Sequence, residues 1–153
     1  MSKKIIFSAL PLFFLLFSWS NPHVDNANLA DEIATTNQLI QLINDHRLSI
    51  GKPLLIRNST ADKLASEHTI YMTSKEDVSN DNFETRWEAL EQKVNAEEIS
   101  ENIGFDRSAQ KAMEACLNNI WLKVNVEGDY THTGIAVKKD DKGRYYYTQI
   151  FYR

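Results

Sequence analysis

The chain has one cysteine, three prolines and five glycines in 153 residues. With Cys116 alone, no intramolecular disulfide can form. So few glycines and prolines exclude a collagenous or low-complexity chain, and no internal repeat is visible. There is no cationic excess: the formal net charge is −4. That argues against nucleic acid or an anionic membrane surface as partner. The longest apolar run, Ile5–Phe17, is short of the roughly 20 residues that a membrane-crossing helix needs.

The run follows Lys3 and Lys4 and precedes Ser18-Trp19-Ser20. A basic start, an apolar middle and small residues at the cut predict a signal peptide over residues 1–20. No cysteine ends the run to take a lipid. Cleavage would leave 15 basic against 21 acidic residues, a formal charge of −6. The expected product has no stable membrane span and is secreted, periplasmic or held in the cell envelope. Residues 21–31 are polar and aperiodic and read as a flexible leader. Residues 32–153 are expected to form one domain, which an apolar core must hold without disulfide help.

Helical spacing predicts a first helix from about Glu32 to Ser49, stopped by Gly51 and Pro53. Leu54–Ile56 is too short for a helix and reads as extended. A second helix begins at Asn58 or Ser59 and carries Ala61, Leu64, Ala65, His68 and Met72 on one face. Asn58-Ser59-Thr60 is also a glycosylation sequon, and the capping role is the simpler reading. A polar loop over 74–81 precedes a helix over 83–94 with Phe83, Trp87, Leu90 and Val94 in register. Ile99–Gly104 alternates like a short strand. A fourth helix is expected over Ser108–Trp121, with Ala109, Ala112, Met113, Cys116, Leu117 and Ile120 on its stripe. Tyr130–Val137 and Arg144–Phe151 flank a polar turn ending at Gly143, a hairpin pattern. At period two, about half of Tyr145, Tyr146, Tyr147 and Tyr152 would face outward. Helices first and strands late predict an α+β fold: a small, mainly antiparallel sheet covered by helices.

Five words carry a resemblance: Leu42–Arg47, Leu64–His68, Glu101-Asn102-Ile103, Tyr130–Gly134 and Tyr147–Phe151. In this order they resemble the CAP superfamily of cysteine-rich secretory, antigen 5 and pathogenesis-related 1 proteins, in its short disulfide-free bacterial branch. The resemblance implies a three-layer α/β/α sandwich, a secreted location and a cleft of polar side chains. The family centre commonly holds two histidines and one or two acids. By that alignment Glu101 is kept, Asn80 and Leu122 stand where the histidines would be, Asn119 replaces a serine or second glutamate, and Cys116 replaces a tryptophan.

Zinc needs three or four converging His, Cys or carboxylate ligands. His46, His68 and His132 lie on different elements without ligand spacing, so neither metal nor cofactor is expected. A nucleophilic hydrolase needs a nucleophile, a base and a group that orients the base. No nucleophile elbow is present, and Cys116 lies on an apolar stripe, where a thiol is buried and inert. The reading is therefore a non-catalytic binding or interaction module with a degenerate cleft. Glu101, Asn80, Asn119, His68 and His132 are its candidate residues. The resemblance leaves lipid, protein or cell-wall material as partner. Glu101 is expected to rest on neutral donors, the Asn80 amide or backbone N–H groups, with His68 or His132 beside it. The alternative is a hydrolase acting through Glu101 and a histidine.

Overall fold

The computed structural model describes residues 26–153. The signal peptide expected over 1–20, and the leader up to residue 25, lie outside the described residues. The element order is α1 (Asn26–Ser49), β1 (Ile56–Arg57), α2 (Ser59–Lys75), α3 (Phe83–Val94), β2 (Ile99–Asp106), α4 (Ala109–Asn118), α5 (Ile120–Val126), β3 (His132–Lys139) and β4 (Tyr145–Tyr152). The strands form one sheet in the order β1-β3-β4-β2. β4 pairs antiparallel with β2 and β3, while β1 adds two residues parallel to β3.

Helices cover both faces of this sheet. Leu39, Ile40 and Ile43 of α1, with Ala112, Met113 and Cys116 of α4 and Val126 of α5, pack on Ile135, Val137, Tyr147 and Phe151. Ala61 and Ala65 of α2, with Leu90 of α3, pack on Ile99, Ile150 and Tyr152. Neighbouring residues of β4 thus bury against opposite layers, as the pleat requires. This is the expected α/β/α sandwich. Because β4 is central and covered twice, Tyr146, Tyr147 and Tyr152 are all buried. The expectation that half of the tyrosines face outward is corrected on that ground.

Local chemistry explains most boundaries. Asn58 accepts from the Thr60 and Ala61 amides at 2.9 and 3.2 Å and caps α2, so the sequon asparagine serves as a cap. The turn between β3 and β4 is tied by the Asp140 carboxylate, which accepts from the Lys142 and Arg144 amides. Gly143 takes the left-handed φ of +75° there, which suits glycine. Gly134 has a different reason. A Cβ on it would stand 2.1 Å from the Ala61 carbonyl carbon, so α2 can approach β3 only over glycine.

Besides β2, which runs two residues beyond Gly104 to Asp106, three boundaries differ from expectation. α1 starts at Asn26, and its first turns are anchored: Asp31 accepts from Lys139 Nζ and Tyr145 Oη, and Glu32 from the Lys139 amide. The part of the leader from Asn26 onward is therefore helical. The fourth helix is two: Asn119 takes an extended φ/ψ and caps α5 through the Trp121 and Leu122 amides. The hairpin strands run on to Lys139 and Tyr152, because backbone pairing does not stop where side chains turn polar.

Candidate functional site

Glu101 lies on β2, with its side chain only 3 % exposed. Arg86 of α3 meets it in a bidentate pair: Nε to Oε2 at 2.7 Å and Nη2 to Oε1 at 2.6 Å. The Arg86 side chain is 8 % exposed. Its third nitrogen, Nη1, donates to the Asp81 carbonyl at 2.7 Å and to His68 Nδ1 at 3.1 Å. A guanidinium has no acceptor, so Nδ1 of His68 accepts and its proton sits on Nε2. Nε2 then donates to the Ser79 carbonyl at 2.8 Å. His68 is thus a neutral imidazole with both nitrogens in use. Burial, and next the Arg86 charge, push its pKa below the ordinary histidine value.

The surroundings hold this arrangement. The Tyr71 ring stacks on His68 at 5.9 Å, and its hydroxyl donates to Asp81 at 2.6 Å. Arg86, Asp81 and Ser79 thereby tie the loop between α2 and α3 to β2. A bidentate guanidinium–carboxylate pair is strong and directional. Each partner removed alone leaves a buried charge uncompensated.

The expected support for Glu101 is corrected here. Asn80 is exposed and shares an open groove of about 410 Å³ with Glu101, Phe83, Glu84, Ile99, Ser100 and Asn125. The Glu101 carboxylate rests on the Arg86 cation, not on the Asn80 amide or other neutral donors. His68 is brought to the site but reaches Glu101 only through Arg86. His132 is not brought there: it stacks on Tyr152 at 5.1 Å and contacts Thr131 Oγ1 through Nδ1. Asn119 caps α5, as described. Leu122 packs on the core, and its carbonyl accepts from Asn102 Nδ2 at 2.9 Å. His46 pairs with Glu127 at 2.8 Å, across the sheet from Arg86. Cys116 is buried, its Sγ 3.7 Å from Tyr147 Oη. Burial raises the pKa of the thiol.

Sequence reasoning missed Arg86. A signal is present in the spacing: Arg86 is three residues after Phe83 and four before Leu90, on the stripe that reads as apolar.

The chemistry open to this site is narrow. Both carboxylate oxygens of Glu101 are bonded to the Arg86 guanidinium, and a metal ion bound there would stand against that positive charge. No group of three or more His, Cys, Asp or Glu is arranged for a metal ion among the described residues. The residues present do not fit zinc.

The family model described as CAP, the Cysteine-rich secretory protein family, matches residues 40–151. No curated protein matches the chain. Among solved structures, the fold is similar to an extracellular protein containing an SCP domain from Bacillus anthracis, with a TM-score of 0.74 and 24 % identity. The match covers 88 % of this chain and 45 % of that one. It is also similar to an outer surface protein of Borrelia burgdorferi, with a TM-score of 0.68, 16 % identity, and 76 % and 90 % of the two chains covered. A cysteine-rich secretory protein of Staphylococcus aureus gives a TM-score of 0.61 at 19 % identity, over 82 % of this chain and 39 % of that one.

Proposed function

The chain belongs to the Cysteine-rich secretory protein (CAP) family, and we propose that it is a non-catalytic binding module of the bacterial cell exterior. The observation that carries this reading is the bidentate Arg86–Glu101 pair. A general base must reach the proton it removes, and a metal ligand must offer a lone pair. Arg86 takes one lone pair on each Glu101 oxygen, and with the side chain 3 % exposed little of the remainder is open to solvent. His68 has both ring nitrogens bonded within the protein. Beside Glu101 lies an open groove, with amides, a hydroxyl, the Glu84 carboxylate and the Phe83 ring along it. Such a surface suits binding.

Export is part of this proposal. The basic-then-apolar start of the sequence favours it, and the similar structures are described as extracellular, outer-surface or secretory proteins. No helix among the described residues is long and apolar enough to cross a membrane.

The test is turnover. The full-length protein, with and without added zinc, is offered peptide, ester and peptidoglycan substrates. No turnover above that of a Glu101→Gln variant is expected. Turnover that disappears in Glu101→Gln would put the hydrolase reading first.

A further inference from the structure

The two edges of the sheet are treated differently. At the β3 edge, β1 covers His132 and Thr133. Beyond it, the Ile135 amide donates to Asp62, the Ile135 carbonyl accepts from Arg57, and the Lys139 amide donates to Glu32. Side chains have closed that edge. The β2 edge is not closed in this way. Glu98 and Arg153 exchange both backbone bonds, at 3.1 and 3.4 Å. Alternation by two then turns the backbone groups of Ile99, Glu101, Ile103 and Phe105 away from β4. Among the described residues only one of these outward groups is met by a side chain: Asn125 Nδ2 reaches the Glu101 carbonyl at 3.5 Å. Register with β4 is unbroken over all eight residues, without a bulge. No lysine or proline lies in the strand. Of the devices by which native proteins shield such an edge, β2 carries one, the inward-pointing charge of Glu101.

The surroundings suit an incoming strand. The groove beside Glu101 runs along the start of this edge, residues 99–101, walled by Asn80, Phe83 and Glu84 on one side and Asn125 on the other. Trp121 lies one helical turn before Asn125 and is 78 % exposed. Phe105 is 46 % exposed. No lysine lines the groove, and none of its lining residues is an arginine; Arg86 beneath it is held by Glu101. Glu84 leaves the wall acidic at this end; at the far end Arg144 lies over the Phe105 ring at 4.8 Å, paired with Asp140. A second copy of this chain paired through β2 would set one acidic wall against another, so the charge pattern favours a basic partner.

We propose that the outer edge of β2 docks an extended peptide segment of a partner protein, basic and apolar in alternation, as a fifth strand of the sheet. Main-chain bonds to Glu101, Ile103 and Phe105 would supply the ladder. Trp121 would take the apolar side chains on one face of the incoming strand, and Glu84 a basic one on the other. The proposal rests on the non-catalytic reading of the cleft and names its partner class.

The probe is a capped peptide alternating Lys and Val, eight residues long like β2, titrated into the isotope-labelled full-length protein. The expected result is saturable binding that shifts the Ile103 and Phe105 amide resonances and slows their hydrogen exchange. Affinity should fall about tenfold or more for Trp121→Ala, as for an exposed aromatic anchor at an interface. It should fall likewise for a peptide N-methylated on its β2-facing amides, and for a Glu–Val analogue. Ile103→Pro removes one outward N–H and should weaken binding too; if it does not fold, the N-methylated peptide makes the same test on the unaltered protein. Binding indifferent to N-methylation, or equal for the Glu–Val analogue, overturns the proposal. So does a peptide-free dimer that protects the Ile103 amide. Cleavage of the peptide, seen by mass spectrometry, overturns the non-catalytic reading and this proposal with it. Absence of binding without cleavage overturns this proposal alone.

Discussion

Replacing Arg86 by Met keeps much of the side-chain volume and removes the charge. Glu101, 3 % exposed, then faces neither cation nor water. At an effective dielectric of about 20, two charges about 4 Å apart attract by ~4 kcal/mol. Breaking a buried pair by removing one partner costs about 3–5 kcal/mol. The Asp81 carbonyl and His68 Nδ1 lose a donor as well, so the upper part of that range is expected. Against a typical total of about 5–15 kcal/mol, such a loss brings the domain near its threshold. The companion is the double variant Arg86→Met/Glu101→Leu, which removes both charges together. It should recover most of the loss, since apolar replacement of a buried pair is often neutral or better. Urea denaturation followed by far-ultraviolet circular dichroism measures both, with the m-value checking that the unfolded states are comparable. An Arg86→Met protein within about 1 kcal/mol of the parent would refute the reasoning, because that is the size of an exposed pair. A double variant no better than the single would refute it too.

Acid should weaken the same site through His68. Its folded pKa is lowered, so between that value and about 6.5 the unfolded chain binds the extra proton. Stability is full above about 6.5 and falls as pH drops through the window to the folded value; denaturation midpoints of parent and His68→Asn should converge in slope only above it. Gly134→Ala should cost about 2 kcal/mol or more, by forcing α2 off β3 at Ala61, and thermal melting reads it. Cys116→Ala should cost about 1–2 kcal/mol, a small cavity plus the Tyr147 hydroxyl contact, and leave any binding intact; rapid labelling of Cys116 by a thiol reagent in the folded state would contradict its burial.

The sequence made the layers legible because the periodicities are strong. The α3 span over Phe83–Val94, the cap at Asn58, the hairpin and the family words follow from local chemistry alone. Two things were hidden for physical reasons. The apolar stripe through Cys116, Leu117 and Ile120 reads as one helix, while Asn119 within it ends one helix and caps the next. Arg86 falls on the apolar stripe of α3, but nothing local says what a charge buried there would meet. Only the fold brings β2 beneath α3 and gives that guanidinium a buried carboxylate. Glu101 was found as a site residue, but its partner comes from 15 positions away in sequence, with no spacing rule to connect them.

The central claim is that Arg86 has closed the family cleft to metal and to acid–base chemistry. Calorimetric titration of the metal-free full-length protein with zinc tests it most directly. The account predicts no heat beyond weak, nonspecific binding, unchanged in Glu101→Gln. Submicromolar one-to-one binding that disappears in Glu101→Gln would contradict it, for it would show that Glu101 leaves Arg86 for a metal.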